Sequence, residues 1–213
     1  MERDTWNLNP SDIETRSMAI IDAQAGEHGW LPDQWQIVRR MIHTTADFEW
    51  AGITIMQDQA LESGLKALTK GCTIFTDTQM AMMGISPWRV GPLGVDVRCL
   101  INYEPVMARA AENGTTRAVA AVDLAVESDS RAVFVVGNAP TALLRLLEHA
   151  EAGRAHPPLV VGLPVGFVNA AEAKAALAQS DLPYITALGP KGGSAVAASV
   201  INALAIMAQE QRK

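Results

Sequence analysis

The chain has 213 residues, of which 49% are hydrophobic, 19% charged and 5% aromatic, enough apolar material for one α/β domain with a core on both sides of a sheet. Its formal net charge of −6 argues against a duplex-binding surface, which needs a basic face large enough to register in the totals. The polar, acidic opening MERDTWNLNP is neither a signal nor a transit peptide, and no apolar run nears the ~18 residues that span a bilayer, so a soluble, cytoplasmic protein is expected.

A first helix is predicted from Pro10, with Ser11 and Glu14 spaced for a capping box. Ile13, Ser17, Ile20 and Ile21 share one core-like side, and Gly26 closes the helix. Pro32 and Asp33 start a second helix. It carries an apolar stripe of Trp35, Val38, Met41 and Ile42, then a polar cluster of His43, Thr44, Thr45 and Asp47. Residues 55–70 read as a third helix that stops at Gly71, and 72–75 as a short buried strand. Thr76, Asp77 and Thr78 open a helical turn, 94–102 alternates like a strand, and helices are predicted over 103–112 and 116–127.

One pattern then recurs three times. Strands at 131–136, 157–162 and 183–188 lead into the loops GNAPT (137–141), LPVGFVN (163–169) and GPKGGS (189–194), each followed by an Ala-rich helix. Short continuous apolar strands separated by helices predict right-handed crossovers and a parallel sheet covered on both faces. The expected fold class is α/β: a single-domain, three-layer α/β/α sandwich with a mostly parallel, Rossmann-like central sheet. The last helix, over 195–208, suits a dimer interface as well as a core.

In such a sheet, ligands bind beyond the carboxyl ends of the strands. Glycine lets a backbone approach a ligand closely, and helix starts favour anions. The candidate rim is therefore Gly137, Asn138, Ala139, Gly166, Lys191, Gly192, Gly193 and Ser194. GPKGGS lacks the phosphate-loop spacing and GLPVGF is no dinucleotide fingerprint, which argues against a nucleotide enzyme. Of four histidines, His28, His149 and His156 read as surface residues. His43 stands out because Arg39 and Arg40 lie one turn before it, and Asp47 lies four residues on, spaced to orient the ring. A metal site would need a third ligand, which is not evident. Cys72 and Cys99 read as buried small hydrophobes.

The segments IHTTAD (42–47), GNAPTALLRLLE (137–148), VVGLPVGFVNAAEAK (160–174) and KGGSAVAASVINAL (191–204) together resemble the precorrin-8X methylmutase family, which includes the cobalt-precorrin-8 methylmutases. The resemblance implies an α/β/α homodimer with no organic cofactor, any cobalt belonging to the substrate. It implies a methyl migration from C-11 to C-12 of a corrin precursor, giving hydrogenobyrinate or cobyrinate, with His43 as the acid/base group. Ser17, Thr44, Asp77, Thr116 and Arg117 fall in segments that resemble substrate-contacting stretches. A flat apolar ring fringed with carboxylates also calls for dispersed cations, which Arg40, Arg117 and Lys191 supply. Two departures from the family pattern stand out: Pro190 occupies the place of an arginine before KGGS, and TDTQM replaces the commoner TDVxM. The competing expectation is a tetrapyrrole carrier without catalysis. Transient hand-over with other enzymes of the corrin route is a further expectation.

Overall fold

The computed structural model describes residues 9–212, and the side chains of residues 10 and 11 lie outside that description. Its centre is a six-stranded sheet in the order β1-β6-β5-β4-β2-β3. The strands are β1 (Thr54–Met56), β2 (Thr73–Thr76), β3 (Asp96–Arg98), β4 (Val133–Val136), β5 (Val160–Gly162) and β6 (Tyr184–Ala187). All neighbours run parallel except β1, an antiparallel edge strand on β6.

Alternate strand residues feed two cores. Ile74, Val133, Val135, Val161 and Ile185 pack on one face against α2 (Pro32–Thr45), α4 (Ala60–Thr69) and α11 (Ser194–Glu210). Phe134, Val136, Val160 and Tyr184 pack on the other against α8 (Arg117–Ser128), α9 (Pro140–Glu151) and α10 (Ala170–Ala178). α11 carries twelve buried residues, so its apolar surface belongs to the core. Among the described residues no helix is long and apolar enough to cross a membrane.

Four expectations need correction. The stretch read as one helix over 55–70 lies just after the short helix α3 (Trp50–Ile53) and holds the end of strand β1 and then α4. Three residues of edge strand are too few to show a period. The strand expected over 94–102 shortens to β3. In α1 (Pro10–Ala25), Ile13 and Ile20 are 49% and 48% exposed and only Ile21 of that face is buried, because α1 lies outside α2 rather than on the sheet. Its helix starts on the Asn9 carbonyl, two residues before the expected cap at Ser11, whose side chain lies outside the described residues, and Glu14 reaches across to Arg40 rather than back along its own turn. The remaining short helices, α5 (Gln79–Gly84), α6 (Pro87–Val90) and α7 (Glu104–Asn113), follow β2 and β3.

Candidate active site

The polar end of α2 is organised by its last turn. Thr44 Oγ1 donates to Arg40 O at 2.8 Å, and Thr45 Oγ1 donates to Met41 O at 2.9 Å while accepting from Trp50 Nε1. Both hydroxyls are thus turned back on the structure. Ala46 then adopts φ 53° in the left-handed region, which costs a residue with a side chain ~1 kcal/mol. The helix ends there, so Asp47 leaves the i+4 position beside His43. Instead, Asp47 Oδ1 accepts from Glu49 N at 3.0 Å and Oδ2 accepts from Lys191 Nζ at 2.5 Å. The expected Asp47–His43 bond is absent. His43 is exposed at the surface of α2.

Lys191 links this helix end to the GPKGGS loop. Its ammonium is 2.5 Å from Asp47 and 2.5 Å from Glu49. These hydrogen bonds raise the lysine above its ordinary range, and that from Lys191 lowers Asp47. The structure therefore brings the His43 segment and the glycine-rich rim together. It also neutralises the Lys191 charge that was assigned to the substrate.

On the other side of His43, Arg40 and Arg89 converge on Glu14, at 2.5 Å and 3.7 Å. Burial works against the Glu14 carboxylate, but the hydrogen bond and charge of Arg40, with Arg89 and His43 adding, hold it below the usual range. Arg39 turns away to Asp22 at 2.7 Å. A groove of about 570 Å³ runs beside these arginines, lined by Glu14, Met18, Asp22, Arg39, Arg40 and Ile206. Ser17 is half-buried on α1.

The GNAPT loop behaves differently from expectation. β2 and β4 are neighbours, yet the chain leaves them for opposite faces, which makes a topological switch point. The crevice is filled by Asp77, only 8% exposed. Its carboxylate accepts from the backbone N–H of Gly137 at 2.9 Å and of Asn138 and Ala139 at 2.7 Å. Burial raises the Asp77 carboxyl above its ordinary range while these donors pull it down. The N–H groups of 137–139, assigned to substrate, are taken by the protein's own anion, and Asp77 is itself enclosed.

The other two loops interlock. Gly193 N donates to Leu163 O at 2.9 Å and Gly166 N to Pro190 O at 3.1 Å, so Pro190 serves through its carbonyl. A Cβ on Gly192 would overlap Leu163 O. Ser194 is buried and shares a 2.8 Å bond with Thr78, which also caps α5. Val165, Phe167, Val168 and Leu188 stand exposed around these loops, Phe167 at 97%, and offer an apolar wall. Thr116 caps α8 through Val119 N, and Arg117 Nη1 reaches Asn102 Oδ1 at 3.3 Å. Both are exposed at the same sheet edge.

Sequence reasoning missed Glu14, Glu49, Arg89, Phe167 and Lys174. Only Phe167 carried a signal, an apolar cluster inside a loop. His149, expected at the surface, is buried: its Nε2 meets Asp123 Oδ1 at 2.6 Å and its Nδ1 accepts from Arg154 Nε at 2.9 Å. With Nδ1 accepting from Arg154, Nε2 is the ring nitrogen that faces Asp123 as a donor. It lies near the far end of α9, away from the rim. Cys72 and Cys99 are partly buried, and burial raises both thiols, Cys72 to about 11, so neither is a thiolate nucleophile. No group of three or more His, Cys, Asp or Glu side chains among the described residues could hold a metal ion.

Known proteins match this architecture closely. A family model described as Precorrin-8X methylmutase matches residues 12–207. A cobalt-precorrin-8 methylmutase of Salmonella typhimurium is 45% identical over 201 residues, covering 92% of this chain and 94% of that protein. One from Leptospira interrogans is 38% identical over 208 residues, covering 94% of each. The solved structure of a precorrin-8X methylmutase from Thermus thermophilus superposes with a TM-score of 0.90 at 44% identity, covering 94% of this chain and 97% of that one. With the fold, the rim and the His43 segment in place, the chain belongs to the precorrin-8X methylmutase family.

Proposed function

We propose that the chain is an isomerase of cobalamin biosynthesis that moves a methyl group from C-11 to C-12 of precorrin-8X or its cobalt form, with His43 as the acid/base group. The bond from the methyl carbon to C-11 breaks as the bond to C-12 forms, and the product keeps the composition of the substrate. No methyl donor, oxidant or separate cofactor enters. His43 gives a proton to the ring system as conjugation changes and recovers one afterwards, a contribution of about 10²–10⁴ in rate. The rest comes from holding one geometry of the macrocycle.

One observation carries this reading. The Lys191 ion pairs to Asp47 and Glu49 join the helix that ends in exposed His43 to the glycine-rich rim, so a proton-transfer group and a broad apolar edge form one site. The ring lies against Val165, Phe167 and Leu188, and its carboxylates meet Arg40, Arg117 and the open side of the α11 start, which no side chain caps, while Gly193 N on Leu163 O and buried Ser194 on Thr78 hold that start in place. Thr44 and Ser17 line the histidine side. The protein works as a homodimer in this reading, which gel filtration checks as an apparent mass of two chains.

The test is the visible spectrum of precorrin-8 mixed with the protein and with His43→Ala. Conversion by the first and colour binding without conversion by the second is the expected result. Equal conversion by both removes the acid/base role, and binding without conversion by the unaltered protein makes it a carrier.

A further inference from the structure

The strongest unexplained group in the molecule is a buried lysine. Lys174 lies on α10, is 1% exposed, and heads the largest fully buried side chains. Its ammonium donates to the backbone carbonyl of Lys191. Among the described residues no carboxylate pairs with it. On α9, which packs against α10, Arg145, Glu148 and His149 are tied to one another through Asp123 or to Arg154. On β6, Tyr184 donates to Ala178 O at 3.0 Å. Burying an ammonium without a counter-charge is costly, and an apolar side chain of similar length would fill the space more favourably. A stability role is therefore a poor account of it.

Its one partner suggests a better account. Lys191 faces two ways. Its carbonyl points inward to Lys174, and its side chain points outward to Asp47 and Glu49 at the end of α2. The neighbouring glycines have no slack, since Gly192 abuts Leu163 O and Gly193 N is bonded to it. A small shift of the Lys191 backbone thus moves both the rim and the ion pairs that set it against the His43 helix.

We propose that Lys174 is a positioning residue of the active site, pinning the GPKGGS loop from inside so that Lys191 holds the rim in register with the helix end that carries His43. The proposal rests on the reading of this edge as the substrate site. Burial lowers the Lys174 ammonium to about 8. Neutral Lys174 donates a weaker bond to the carbonyl and removes a positive charge from beneath the loop, so the loop loosens in mildly alkaline solution while the fold loses a buried charge.

The test compares the protein with Lys174→Met, following KM, kcat and thermal midpoint from pH 7 to about 9.5. Lys174→Met is expected to melt no lower than the unaltered protein and to raise KM about tenfold, with a smaller change in kcat. The unaltered protein is expected to show KM rising through pH 8–9 while its midpoint does not fall, and Lys174→Met to show no such rise. Lys191→Met is expected to have a smaller effect in the Lys174→Met background than alone. A folded Lys174→Met with unaltered KM across the series, or one with the same pH profile as the unaltered protein, overturns the proposal. Should that variant fail to fold, a KM of the unaltered protein that is flat through pH 8–9.5 overturns it. If the unaltered protein neither binds nor converts the coloured substrate, the site reading fails, and this proposal with it.

Discussion

α9 and α11 begin side by side at the carboxyl edge of the sheet, after strands of similar length and glycine-containing turns, yet their N-termini have opposite chemistry. The α9 start is saturated by Asp77, which takes three backbone N–H groups at 2.7–2.9 Å. The α11 start has glycine as its N-cap and no side-chain cap, and Gly193 N meets only the neutral Leu163 carbonyl. Helix N-termini attract anions in either case. What differs is whether the anion is built in. The switch-point crevice, the usual ligand position in open sheets, is here a structural joint. In the function proposed above, the ligand edge is instead the interlocked LPVG and GPKGGS loops, next to the α2 end.

The sharpest way to break that contrast is Asp77→Ala. It leaves three N–H groups in a buried crevice without an acceptor, and a single such group costs about 1–3 kcal/mol. A loss on the order of 3 kcal/mol or more is expected in urea unfolding, with activity falling only as the folded fraction falls. If Asp77→Ala instead keeps its stability and loses substrate binding, Asp77 is a ligand contact after all.

A second measurement sets the α11 side apart by pH. The folded-state ammonium of Lys174 titrates near 8, below the ordinary 10.5, so between those values the unfolded chain binds more protons than the folded one. Stability from this group therefore rises with pH across that window. The gain is on the order of 3 kcal/mol at 1.36 kcal/mol per unit. Denaturant midpoints at pH 8 and pH 10 check it, and Lys174→Met removes the increase.

These two residues also mark where sequence reading stops. The alternation of strand and helix from 131 onward was legible because fully buried strands and Ala-rich helices differ in length and composition. The α2 stripe was legible because Trp35, Val38, Met41 and Ile42 keep a helical period. Asp77 was not, since an acid after a strand looks the same whether its partner is a substrate or an amide sixty residues on. Lys174 sits in AAEAKAALA, where a lysine ordinarily faces solvent. The Asp47–His43 pairing failed for a local reason: the i+4 rule assumes a continuing helix, and Ala46 ends this one in a conformation usually given to glycine. His43 itself was legible as a candidate, and its junction with Lys191 needed the fold.

Gly137 sharpens the contrast at the point where the two helix starts touch. A Cβ there would lie 2.7 Å from Ser194 Cα and 2.9 Å from Ser194 N, both backbone atoms that cannot swing aside. Gly137→Ala is expected to cost about 1–3 kcal/mol through this overpacking. It also displaces Ser194 at the edge read as the substrate site, so KM rises in the fraction that folds. A variant with unchanged melting and unchanged KM shows that the joint has slack.

The smallest effect belongs to the third helix start on this edge. Thr116 caps α8 through Val119 N at 3.2 Å and is itself exposed, so water replaces the lost acceptor in Thr116→Ala. About 1 kcal/mol is expected, the usual value of an N-cap hydroxyl, read as a small fall in denaturant midpoint with unchanged slope. The same substitution also tests its place beside Arg117. If Thr116 only caps, KM stays where it was, and Arg117→Ala alone raises it. If both raise KM alike, the hydroxyl also contacts the substrate, and the α8 start then lies between the two extremes that α9 and α11 define: capped by the protein, yet still open to the ligand.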